Sequence, residues 1–123
     1  MKNLLDFCDA ILKNGGATFN LVTGTSPTTG YVVSKQGRED TIDLFGNKVT
    51  QNMLVNSFVR KYVSEHGFEL SIFDYNLGGW IHDKKLYLDI SILFDNEADA
   101  KEYAKDNNQL AYFDLTNGKE IFV

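Results

Sequence analysis

The sequence predicts an α+β fold, a mainly antiparallel sheet covered by two or three helices in the order α-β-β-(β)-α-β-β-α-β-β. Three observations carry this expectation. Leu86, Leu88, Ile90, Ile92 and Phe94 alternate without a break against Tyr87, Asp89, Ser91 and Leu93, the period of a strand with one face in a core. Leu4, Leu5, Cys8, Ile11 and Leu12 recur at helical spacing, as do Leu54, Val55, Phe58, Val59 and Tyr62. Turn signals at Asn14-Gly15-Gly16, Asp83-Lys84 and Thr116-Asn117-Gly118 separate the periodic stretches.

Taken in order, the first helix is expected from about residue 3 to 13, ended by Asn14-Gly15-Gly16, residues that tolerate positive φ. Ala17 to Val22 and Gly30 to Lys35 follow as two strands expected to pair, joined by the loop Thr23 to Thr29. That loop holds Pro27, the single proline, and its hydroxyls are placed to meet a ligand, although it lacks the Gly-Lys-Ser/Thr ending of a phosphate loop. Thr41 to Phe45 offers a third strand, and a helix from about Thr50 to Ser64 is capped by Asn47 or Thr50. Phe68 to Tyr75 is aromatic enough for a strand and fits a packed connection equally well.

The next hairpin allows a register to be written. A turn on Asp83-Lys84 pairs His82 with Lys85 and Ile81 with Leu86, which puts Trp80 opposite Tyr87. The outer face then carries Trp80, Tyr87, Asp89 and Ser91. Asp95 or Asn96 caps a helix to about Asn107, with Ala100, Tyr103 and Ala104 inward and Glu97, Asp99, Glu102 and Asp106 outward. A closing hairpin through Thr116-Asn117-Gly118 is expected to set Phe113 against Ile121 and Ala111 against Val123, with Tyr112 and Phe122 on the other side.

With 123 residues, 43% of them hydrophobic and 24% charged, the chain has the size and composition of one folded domain, residues 1–123. Its start lacks the basic and apolar regions of a signal peptide, and no run of about 18 apolar residues would span a bilayer, so a cytoplasmic, membrane-free protein is expected. Cys8 is the single cysteine, which excludes an internal disulfide and a cysteine metal cluster. The net charge of −5 hides an asymmetry: residues 1–64 hold five acids against seven bases, and residues 65–123 twelve against five. The second half thus repels nucleic-acid phosphate and attracts basic protein surfaces, so no direct nucleic-acid binding is expected.

Catalytic chemistry finds little support. His66 and His82 are the two histidines, one after Glu65 at a helix end and the other beside a turn, without metal-ligand spacing. Cys8 lies on the apolar stripe of its helix, with nothing nearby in sequence to activate a thiolate. Glu39-Asp40 and Asp95-Glu97 are neighbours along the chain, which says nothing of convergence across a cleft. Gly15-Gly16 and Gly78-Gly79 lack the spacing of a dinucleotide site and read as freedom at turns and bulges. No enzyme, cofactor or metal is expected.

Gly15-Gly16-Ala17-Thr18-Phe19, Gly30-Tyr31-Val32-Val33-Ser34, Leu77-Gly78-Gly79-Trp80, Leu86-Tyr87-Leu88-Asp89-Ile90-Ser91 and Asn108-Gln109-Leu110-Ala111-Tyr112-Phe113-Asp114-Leu115 together give a further reading. In these segments, about two-thirds of its length, the chain resembles a family of small proteins of undefined activity carried by phages and other bacterial mobile elements. Small acidic proteins of such elements often bind host defence machinery, including CRISPR nucleases and restriction enzymes. The resemblance therefore implies an accessory or inhibitory factor in the bacterial cytoplasm, with a defence protein, such as a nuclease or its guide complex, as partner. It brings no binding residue with it. From the residues themselves, the expected protein-binding surface comprises Trp80, Tyr87 and Asp89 with the acids Glu97, Asp99, Glu102 and Asp106, since rigid rings bury area at little entropic cost. The alternative is a small-ligand or nucleotide module using the loop from residue 23 to 30. The terminal strand, Glu120 to Val123, offers an edge for homodimerisation.

Overall fold

The computed structural model describes residues 3–123 as four helices and one seven-stranded antiparallel sheet, an α+β fold. The sheet is organised around the hairpin of β4 (Tyr75–His82) and β5 (Lys85–Phe94). Its register is the expected one, His82 with Lys85, Ile81 with Leu86 and Trp80 with Tyr87. Both turn residues take positive φ, Asp83 at 49° and Lys84 at 60°, the hand that matches the right-handed twist of the strands.

β1 (Gly16–Phe19) lies on the outer side of β4, and β2 (Tyr31–Ser34) on the other side of β5, followed by β6 (Ala111–Asp114) and β7 (Lys119–Phe122). β3 (Asp40–Asp43) pairs with the opening residues of β5, beyond the end of β2. The expected pairing of the first two strands does not occur. β1 is held by β4 and β2 by β5 and β6, because the central hairpin offers both of its long edges and the two short strands fill one each.

All four helices pack on one face. α1 (Leu4–Asn14) and α2 (Lys48–Glu65) sandwich a core with Leu77, Leu86, Leu88 and Ile90 of the sheet, to which α1 brings Phe7, Cys8 and Ile11 and α2 brings Val55, Phe58, Val59 and Tyr62. Asn3 caps α1 through Asp6 N, Gly15 closes it at φ 82°, and Asn47 rather than Thr50 caps α2. The ambiguous stretch after α2 is not a strand: α3 (Gly67–Leu70) buries Leu70 in the same core and a short loop leads into β4. α4 (Glu97–Asp106), capped by Asn96, covers the other end of the sheet, where Ala100 and Ala104 lie against Val33 and Tyr112.

The closing hairpin is shifted by one residue from expectation. Phe113 faces Glu120, Ala111 faces Phe122 and Tyr112 faces Ile121. The Asp114 carboxylate accepts from the backbone and side-chain amides of Asn117, at 3.1 and 2.7 Å, and so builds a four-residue loop where three residues were expected. As a result Tyr112 is buried under α4 and Phe122 is 72% exposed.

Candidate binding cleft

The face of the sheet opposite the helices is not flat. Ser26 and Pro27 from the chain between β1 and β2, together with residues of β6 and β7, line a cleft of about 810 Å³ on it, which at one end reaches Ala10 and Asn14 of α1. Its floor carries the residues that alternate away from the core: Gly78 and Trp80 of β4, Asp89 and Ser91 of β5, and Val32 and Ser34 of β2. Cleft volumes of a few hundred to about 1,000 Å³ are usual for small-molecule and cofactor sites.

The wall formed by the loop is fastened at several points. Asn20 accepts from Val22 N and Thr23 N at 2.9 and 3.0 Å and donates through Nδ2 to Phe73 O at 2.6 Å. Asn20 N reaches Thr25 O at 2.8 Å, and Ser26 Oγ donates to Thr18 O at 2.6 Å, bringing Ser26 and Pro27 onto the cleft. The loop expected to present hydroxyls thus uses three of them to hold its own position, Ser26 on Thr18 O and Thr23 with Thr25 at 2.7 Å.

Asp89 is the central polar group. It was expected on an outer surface with Trp80 and Tyr87, and it does share their side of the hairpin, but it is buried, with 4% exposure. Its Oδ2 accepts a short hydrogen bond from Ser34 Oγ. Its Oδ1 occupies the space above Gly78, its cross-strand neighbour, where any Cβ would collide with it. Burial pushes this carboxyl up to about 6, helped by the charge of Glu39 and opposed by the Ser34 hydrogen bond. Beside it, Asn76 lies cross-strand from Ser91 and is fully buried, with its Oδ1 unpartnered.

Gly78 and Gly79 are not turn residues, as their pairing suggested, but sit in mid-strand and serve opposite faces. Gly78 makes room for the carboxylate. At Gly79 a Cβ would stand 2.7 Å from Ile11 Cδ1 and 3.2 Å from Phe7 Cζ, so its absence lets α1 settle on the sheet.

Trp80 and Tyr87 stack as the register implied, with ring centroids 5.4 Å apart and planes 5° from parallel. Both are half-buried, and Trp80 lines the cleft. Glu97, Asp99, Glu102 and Asp106 are exposed on α4, behind the sheet, and Glu97 accepts from Tyr112 Oη at 2.8 Å. The structure therefore brings Trp80, Tyr87 and Asp89 together and sets the four helix acids on the other side.

Ser34 and Val32 carry no site signal in the sequence, and Gly78 reads there as a turn or bulge residue and not as part of a site. The signal for Gly78 was present in its position opposite Asp89 once the hairpin register was written. For Ser34, which comes from a strand paired across the sheet, no local signal existed.

Cys8, His66 and His82 do not line the cleft. Cys8 is buried, and desolvation with the nearby charge of Asp9 pushes its thiol up to about 11. His66 packs on the Tyr62 ring at 4.3 Å, and His82 is exposed beside Asp83. Among the described residues no three His, Cys, Asp or Glu side chains form a metal-binding group, and no helix is long and apolar enough to cross a membrane. Compared with known proteins, the chain matches no protein family, no curated protein and no solved structure.

Proposed function

We propose that the protein is a non-enzymatic binding factor that engages another protein through the open face of its sheet, with Trp80 and Tyr87 as anchors at the cleft. The observation that carries this reading is the cleft itself: about 810 Å³ with its floor on the open face of the sheet, and a preformed aromatic stack beside it. Stacked rings that are already ordered lose little entropy on binding and commonly dominate interface energies. The net charge of −7 over residues 65–123 favours a partner with a basic surface. A host defence protein, such as a nuclease with its guide RNA, has that character, and inhibition of such a nuclease is the role we assign. The α4 acids steer approach in this reading and do not form the contact.

A small ligand is the second reading, favoured by one observation, that Ser26 and Pro27 from the loop complete the cleft wall.

The test is direct binding of the purified protein to a panel of purified guide-loaded and restriction nucleases. Trp80→Ala with Tyr87→Ala should weaken a positive interaction at least about 30-fold, as expected for anchor residues. Glu97→Gln, Asp99→Asn, Glu102→Gln and Asp106→Asn together should slow association and leave dissociation unchanged. Loss of binding only in the second variant would move the site to α4, and a thermal shift with nucleotides or sugars but no nuclease binding would favour the small ligand.

A further inference from the structure

We propose that the cleft receives the guanidinium group of an arginine side chain from the partner protein, with Asp89 as its acceptor. This rests on the protein-binding reading above and names what the open face recognises. A carboxylate taken out of water is normally paired with a cation or fully hydrogen-bonded. Asp89 has neither arrangement within this chain. Its hydrogen-bond donor is Ser34, and the ion pairs of the described residues lie elsewhere, at Glu69, Glu65, Asp83 and Asp43. Gly78, which has no side chain, lets Asp89 Oδ1 lean over β4, and Asp89 lines the cleft there.

The surroundings select a cation with an apolar stem. No lysine or arginine lines the cleft, whereas Asp89 and Glu120 both do. Val32, Phe113 and Leu115 supply apolar wall for methylene groups. Ser34 and Ser91 set hydroxyl oxygens beside the carboxylate, additional acceptors for a group with five N–H donors. Planarity matters as well. Trp80 is the diagonal cross-strand neighbour of Asp89, about 7–8 Å away along the open face. Tyr87 covers one side of the indole, and the residue paired with Trp80 on the opposite strand is Gly16, which has no side chain to cover the other. Asp89 Oδ1 leans over Gly78, on the same strand as Trp80 and two residues from it, so the planar guanidinium, with donors on several sides, suits the pair of ring and carboxylate better than a compact ammonium.

The probes are blocked tripeptides, acetyl-Gly-X-Gly-amide with X arginine, lysine or citrulline, and agmatine as a free guanidinium, titrated by calorimetry into wild-type protein and into Asp89→Asn. The arginine peptide should bind, the isosteric neutral citrulline peptide at least about tenfold more weakly, and Asp89→Asn should lose this preference while keeping its fold. Trp80→Ala should weaken the arginine peptide more than the lysine peptide. Equal binding of arginine and citrulline peptides, absence of binding by the arginine peptide, or full binding by Asp89→Asn would overturn the proposal. Agmatine binding without peptide binding would also overturn it, pointing to a free small cation. If the peptides fail while Trp80→Ala with Tyr87→Ala still abolishes nuclease binding, this inference falls and the wider reading stands. If both fail, both fall.

Discussion

Ser34 and Asp89 meet across β2 and β5 through a hydrogen bond from Ser34 Oγ to Asp89 Oδ2, although the strand register pairs Ser34 with Ser91. The bond runs diagonally on the open face and joins the two halves of the sheet at the cleft floor. It stabilises the charged form of Asp89, and burial outweighs it, leaving the carboxyl at about 6.

That balance predicts a stabilising substitution. In the unfolded chain Asp89 titrates near 3.8 and in the fold near 6, so the folded state holds the proton more tightly. Stability from this group is complete below the unfolded value, falls as pH rises from about 4 to 6, and is flat above; the gap corresponds to about 3 kcal/mol. Asp89→Asn keeps an oxygen for Ser34 and removes the buried charge. It should raise stability at pH 7 by about 1–3 kcal/mol, measured by urea denaturation, while losing arginine binding. A destabilised variant at pH 7 would contradict the burial of an unpaired charge.

Glu69 has the opposite sign. Hydrogen bonds from Arg38, then from Lys35, hold its carboxyl at about 2, and Arg38 Nε reaches Oε1 at 2.6 Å. Its contribution is present above the ordinary carboxylate value and is lost as pH falls towards 2. Glu69→Gln should remove part of the acid-side loss of stability and leave the fall between pH 4 and 6 unchanged. Urea midpoints of the two proteins across pH 2–7 check this.

Gly78→Ala and Gly79→Ala should separate the two faces. The first displaces Asp89 and should abolish the preference for arginine over citrulline. The second meets Ile11 and Phe7 in the core and should cost about 1–3 kcal/mol by overpacking, with arginine selectivity retained. Equal effects of both on selectivity would mean that Gly78 does not shape the carboxylate site.

Lys84 holds φ at 60° in a tight turn, a conformation that penalises a residue with a Cβ. Lys84→Gly should therefore increase stability by about 1 kcal/mol, less the entropy that glycine gains in the unfolded chain. Thermal unfolding reads the change, and a lower melting temperature would show that the turn is not strained.

The parts of the fold legible in the sequence are those fixed by local rules. The β4–β5 register follows from an unbroken alternation and a two-residue turn, and it sets Trp80 against Tyr87. The partners of β1 and β2 were not legible, because Gly16–Phe19 and Tyr31–Ser34 are four residues each and carry no information about which distant edge they join. The terminal hairpin slipped by one residue because Asp114 remakes its loop through Asn117, a side-chain effect outside hydrophobic periodicity. At the site, alternation gave the side of the sheet on which Asp89 lies but not its burial. Burial depends on the chain that folds over the open face and on strands from elsewhere, including the one that carries Ser34.

The most direct test is the ¹³C resonance of the Asp89 side-chain carboxyl, followed from pH 3 to 8 with and without the arginine tripeptide. The expected midpoint is near 6 in the free protein and lower with the peptide, as a cation stabilises the carboxylate. A midpoint near 3.8 that the peptide leaves unmoved would show Asp89 to be an ordinary solvated acid and would contradict the cleft as a cation-binding site.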